Sequence, residues 1–350
     1  MTREKIQNIQ SLRGVAALSV VLFHLVIIEK KYGGSTPLLH CLFQFGMWGV
    51  DLFFVISGFV MITVARNKFK VHQHAFIFLY RRVSRIYPAY WFYSILVLFV
   101  FLISPGWVNS SQGEPMNILA SFLLFPSDQL PLLMVGWTLI HEIYFYLVFF
   151  FILILCPERH APRILFIWGL IVLLLNVGLN FNHPALNVMF HPMTLEFIGG
   201  CFIALIYFQT PGRASARPLI FTAGLAILLS LTGYGCYHAI TGHIEPQHWW
   251  RVLIFGAPAM VIVFCLTHAE RKGWTAHWSL VRLGDASYSI YLSHLLTLSA
   301  MGRLWQPFSL DSIYDNAVMI PVLFITSIAL GMISYQWMER PLLKFCRRLA

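Results

Sequence analysis

The sequence predicts an all-α, polytopic membrane helix bundle of about ten transmembrane helices, with both termini on the cytoplasmic side. Three observations carry that expectation. Of 350 residues, 58% are hydrophobic and only 11% are charged, whereas soluble domains run at roughly 45–50% apolar and about 25% charged. Apolar runs of the roughly 20 residues needed to cross a hydrocarbon core follow one another with polar punctuation between them. Lys and Arg gather in alternate short loops, the pattern that orients membrane spans.

Taken in order, the runs fall at 9–29, 47–65, 87–104, 137–156, 163–181, 191–209, 218–236, 252–268, 283–302 and 316–337. The first follows Arg3 and Lys5 but no small-residue cleavage site comes after it, so it reads as a retained span and not a signal peptide. Segments 66–85, 157–163, 209–217, 268–273 and 339–350 are basic. Loops 104–117 and 181–189 hold no Lys or Arg, although the first external loop keeps Lys30 and Lys31. Within the first basic segment, 71–85 mixes aromatics with three arginines and reads as an amphipathic helix on the cytoplasmic surface. The stretch "MNILASFLLF" at 116–125 is a candidate short or re-entrant segment. No shift in composition marks a domain boundary and no internal repeat is visible, so residues 1–350 read as one integral-membrane domain.

The net charge of +10 invites the question of nucleic acid. The charge sits in loops, without an aromatic-interleaved basic face, which argues against that partner. The six cysteines form no C-x-x-C pair and no ligand spacing, so neither a disulfide framework nor a metal site is expected.

Polar groups inside spans carry the functional signal, because ionisable residues in hydrocarbon usually face a cavity or a partner. In "SLRGVAALSVVLFHL" (11–25), Arg13 and His24 are 11 residues apart, which on a helix is about 16 Å along the axis and about 20° around it. They share one stripe, Arg13 near the cytoplasmic surface and His24 in the outer half of the bilayer. Snorkelling of Arg13 and simple packing of His24 are the structural alternative. In "GWTLIHEIYFY" (136–146), Glu142 sits about five residues into a span running inward, at a depth similar to that of His24. A carboxylate and an imidazole at one depth suit acid/base chemistry, with Glu142 supporting the ring, or else a structural ion pair. His141 has no clear role.

Arg82 and Arg85 in "YRRVSRIYP" share a helix face and suit paired hydrogen bonds to phosphates, or anchoring at the cytoplasmic surface. In "GVDLFFVISGFVM" (49–61), Ser57 and Gly58 permit close backbone approach by a helix or a ligand. In "GDASYSIYLSHLL" (284–296), Ser287, Tyr291 and His294 lie on one face, available to a substrate or to interhelical hydrogen bonds.

Together with the terminal "ERP", these motifs in this order resemble acyltransferase family 3, the integral-membrane O-acyltransferases of cell-surface polysaccharides, over nearly the whole chain. The resemblance implies an acyl-CoA donor, acetyl-CoA first, bound from the cytoplasm. It implies transfer to a hydroxyl of a surface polysaccharide or lipid-linked oligosaccharide at the outer side of a bacterial cytoplasmic (inner) membrane. Family motifs map onto His24 and Glu142 as catalytic positions and onto Arg13, Arg82 and Arg85 as donor-binding ones; Ser57, Tyr291 and His294 are then candidates for substrate binding. Ser293 stands where relatives often have Trp, and His141 where many have a small apolar residue or an acid. The soluble esterase-like domain that some relatives append is not expected in these 350 residues. A transporter or flippase of a lipid-linked saccharide, with His24 and Glu142 relaying protons, is the alternative; inverted repeats would favour it.

Overall fold

The computed structural model of the protein describes residues 5–108, 116–178, 181–209, 215–310 and 312–348. Fifteen α-helices follow one another among them: α1 Gln7–Tyr32, α2 Trp48–Ala65, α3 His72–Ile103, α4 Ile118–Leu123, α5 Gly136–Leu155, α6 Ala161–Gly178, α7 Pro184–Met189, α8 Thr194–Gln209, α9 Ala216–Thr241, α10 His248–Arg251, α11 Ala257–Glu270, α12 Trp278–Asp285, α13 Ser287–Trp305, α14 Ile313–Ser334 and α15 Arg340–Arg348. No strand occurs among the described residues. This is an all-α, multi-pass membrane protein.

Eight stretches, built on α1, α2, α3, α5, α8, α9, α11 and α14, are long and apolar enough to cross a membrane. The other two expected spans, 163–181 and 283–302, are mostly helical as well where described. They are α6, of 18 residues, and α13, whose serines and His294 dilute its apolar character. The segment at 116–125 contains the short α4, started by the Asn117 side chain, which accepts from Ala120 N at 2.9 Å. Residues 109–115 and 210–214 of two loops used for orientation, and Arg3, lie outside the described residues.

One expected boundary is corrected. The expected surface helix over 71–85 and the expected span from 87 are one helix, α3, which runs unbroken through Pro88. A proline in a helix interior removes one hydrogen bond, here to the Ser84 carbonyl. Burial of Ile86, Ala89 and Tyr90 on either side holds the helix through the gap. At 32 residues, α3 is about 48 Å long, well beyond a hydrocarbon core of about 30 Å, so it has turns to spare outside the lipid.

Two compact units divide the chain, Met1–Ile56 with Ile206–Gln336, and Ser57–Leu205 with Trp337–Ala350. In the first unit α1 packs on α12, α13 and α14. Its core is apolar: Ala17, Val21, Leu25 and Ile28 of α1 meet Ile290 and Leu298 of α13 and Leu323 of α14. Glycine is required where α1 meets α12, because a Cβ on Gly284 would overlap the Gln10 carbonyl and one on Gly14 would sit 2.7 Å from the Leu280 carbonyl.

Both ends of α1 are clamped. Glu270 accepts from Gln7 N at 2.8 Å and Asn8 N at 2.7 Å, supplying partners for amides that a helix N-terminus leaves open. The Asn8 amide donates to Leu266 O at 2.8 Å and accepts from Ala276 N at 2.8 Å. Beyond the other end, the buried Glu29 carboxylate accepts from Leu38 N at 2.5 Å and Leu39 N at 3.0 Å. The same unit holds a buried bidentate ion pair, in which Arg251 donates to Asp51 at 2.9 and 3.0 Å.

In the second unit α3 packs on α5, and the aromatic content fills the space between helices. Phe145 stacks on Phe197 with centroids 4.4 Å apart, and Phe78 and Phe69 pack on Phe149. Three aromatics of α3 satisfy carbonyls at the end of α4: Tyr90 donates to Ser121 O at 2.7 Å, Trp91 to Phe122 O at 2.9 Å and Tyr87 to Leu123 O at 2.8 Å. Gly58 of α2 lies so close to α8 that a Cβ there would overlap the Phe197 carbonyl, and Cys201 donates to Gly58 O at 3.3 Å.

Candidate functional site

In the first unit the residues that the sequence singles out gather around His24. Val21 and Leu25 anchor this turn of α1 in the core, while Ile290 and Leu298, four residues to either side, anchor His294. That register sets the two imidazoles against each other, with centroids 4.8 Å apart and planes tilted by 59°. His24 Nδ1 is 2.9 Å from its own helix's Val20 carbonyl and 3.1 Å from His294 Nε2. His294 Nδ1 is in turn 2.6 Å from Tyr291 O. His24 is half-buried and His294 wholly buried. The Tyr291 ring meets Phe53 edge-on at 5.8 Å. Arg13 stands 11 residues before His24 on the unbroken α1, and its guanidinium donates to Gln10 Oε1 at 3.2 Å.

In the second unit the centre is Glu142. Ser57 Oγ donates to Glu142 Oε1 at 2.8 Å, and the Tyr146 hydroxyl, one turn along α5, donates to the same oxygen. Arg82 of α3 lies close enough to both to feel the Tyr146 hydroxyl and the charge of Glu142, and Arg85 lies near enough to Arg82 to be felt by it. The Arg82 Nε is buried and has no hydrogen-bond partner among the described residues. A donor of this kind, fixed beside a carboxylate and a phenol, can hold a phosphate or carbonyl oxygen through a charge-assisted bond.

Of the residues the sequence singles out, the fold thus joins His24 to His294, Ser57 to Glu142, and Arg82 to the Glu142 cluster. His141, without an assignment from sequence, faces the His191 ring at 4.9 Å. One member is new. Tyr146 was findable, being four residues from Glu142 and so on its face. Outside both clusters, the buried Asp51–Arg251 pair had a weaker signal: a carboxylate within the span 47–65 calls for a partner without naming Arg251, 200 residues on.

Residues 6–336 match the profile of a family described as an acyltransferase domain. The chain belongs to this acyltransferase family. Among curated relatives, the acyltransferase is similar to the exopolysaccharide production protein ExoZ of Rhizobium meliloti, with 28% identity over 313 residues, 86% of this chain and 91% of the relative. It is similar to the acyltransferase MdmB of Streptomyces mycarofaciens, at 26% identity over 86% of this chain and 81% of that one. It also resembles the peptidoglycan O-acetyltransferase OatA of Listeria monocytogenes, at 22% identity over 98% of this chain; the match spans only 56% of that relative. No solved structure matches the acyltransferase. The matched region contains every residue of the two clusters, so both belong to the acyltransferase domain.

Proposed function

We propose that this acyltransferase is an O-acetyltransferase of a bacterial cytoplasmic membrane, moving an acetyl group from cytoplasmic acetyl-CoA to a hydroxyl of a surface polysaccharide or lipid-linked oligosaccharide on the outer side. Residues 1–350 form its single catalytic domain. Membership of the family and the names of the polysaccharide-related relatives support the reaction class. The observation that carries the residue assignment is an imidazole held by hydrogen bonds inside a helix otherwise built for lipid, at His24.

His24 is the general base. The acceptor hydroxyl gives its proton to the imidazole as its oxygen bonds to the acyl carbon; the carbon–sulfur bond then breaks, and the proton passes to the leaving thiolate. Glu142 is a second essential group, its carboxylate set by Ser57 and Tyr146. Arg13, Arg82 and Arg85 hold the phosphates and carbonyls of the donor, a task that suits guanidinium forks. Ser57 and Tyr291 serve on the acceptor side.

The test is acetyl-CoA-dependent release of free thiol by the purified protein in lipid, with a surface-glycan extract as acceptor. Release that requires the glycan and disappears in His24→Ala supports the reading. Full release by a folded His24→Ala protein defeats the base assignment, and the absence of any thiol release with acetyl-CoA or succinyl-CoA defeats the enzyme reading in favour of transport.

A further inference from the structure

We infer that His294 is a positioning residue for His24 that fixes which nitrogen of His24 carries the proton; this rests on His24 being the base. Carbonyl geometry decides the protons. A carbonyl oxygen only accepts, so His24 Nδ1, 2.9 Å from Val20 O, bears a hydrogen, and so does His294 Nδ1, 2.6 Å from Tyr291 O. A further hydrogen on His294 Nε2 would set two donors face to face across the 3.1 Å contact with His24 Nδ1. His294 Nε2 is therefore bare and accepts, and the Nδ1 hydrogen of His24 is shared between it and Val20 O, a three-centre bond.

One lone pair of the two rings remains uncommitted by these bonds, that of His24 Nε2. It is the nitrogen that takes the acceptor proton. When it does, His24 becomes an imidazolium whose Nδ1 hydrogen still points at two acceptors, and those bonds become charge-assisted and stronger. The third member of a hydrolase triad orients its histidine in the same way through a carboxylate. Here a neutral imidazole takes that place, which spares the bilayer interior a permanent buried charge. His294 neither gains nor loses a proton over the cycle. Being wholly buried, it acts through His24 and not on the acceptor, which replaces the substrate-binding role that its position in the sequence suggested.

The experiment compares kcat and KM for thiol release, with the thermal unfolding midpoint in the same lipid, for His294→Phe and His294→Gln. Phe keeps a ring but offers no acceptor, whereas the Gln carboxamide oxygen offers one. His294→Phe is expected to lower kcat roughly 10–100-fold with KM for the donor unchanged, the size seen when the partner that orients a metal-binding histidine is removed, and His294→Gln to recover most of that loss. Should the Phe variant fail to fold, His294→Met, apolar and unbranched, takes its place. A folded Phe or Met variant with the parental kcat overturns the inference, as does an equal loss in both substitutions that tracks their unfolding midpoints. The two ideas fail separately. An active His24→Ala strikes the base itself, whereas an inactive His24→Ala beside a fully active His294→Phe removes only the positioning role.

Discussion

The two units solve the same problem, a polar group inside a helix made for lipid, by different means. Around His24 the partners are mostly local: each imidazole rests on a carbonyl of its own helix, three or four residues back, and the rings share one further bond. Around Glu142 the partners are side chains gathered from α2, α3 and α5. The first arrangement needs only one pair of helices in register. The second needs three, and a fault in any one of them leaves a charge without its complement, which is costly in a medium of low dielectric constant.

This difference can be broken at either side. The largest expected effect is His24→Ala, which removes the proposed base and lowers the rate of thiol release about 10²–10⁴-fold, with little change in unfolding temperature because the ring is half-buried and makes a single bond to another helix, that to His294. Glu142→Gln comes next: it removes the charge that Arg82 faces, so activity falls roughly 10²-fold and, unlike the first variant, the unfolding midpoint in lipid also falls, which differential scanning fluorimetry reads. Tyr146→Phe keeps the carboxylate but deletes the hydroxyl that donates to it, at about 1.5–3 kcal/mol for a hydrogen bond to a charged group. The smallest is Ser57→Ala, about 1 kcal/mol, since Tyr146 still donates to the same oxygen. A Tyr146→Phe protein as stable as the parent would show that the cluster of the second unit is not a network, and the contrast would collapse.

Much of this was legible in the sequence. The spans announce themselves because each is a long apolar run bounded by polar loops, and His24 and Glu142 stand out as ionisable groups within them. Partnership was less visible, for a physical reason: periodicity reports which residues share a helix face, never which face of another helix comes to meet it. Hence Tyr146 was within reach of sequence reasoning, whereas the meeting of His24 with His294, 270 residues away, was not. The unbroken passage of α3 through Pro88 was hidden too, because local propensity marks a boundary there and only tertiary burial of the flanking residues overrides it.

The clamps on α1 have a consequence for how this chain tolerates change. With Asn8 tied at one end and Glu29 at the other, the number of residues between them is fixed as firmly as their character. A single inserted residue after Ser11 would swing His24 and Glu29 alike by about 100° and move them about 1.5 Å along the axis relative to Asn8, so the helix could keep one tie only by giving up the other. Apolar exchanges along this helix are therefore forgiving and indels are not: α1 behaves as a calibrated rod, whose length, more than its composition, sets where the imidazole stands.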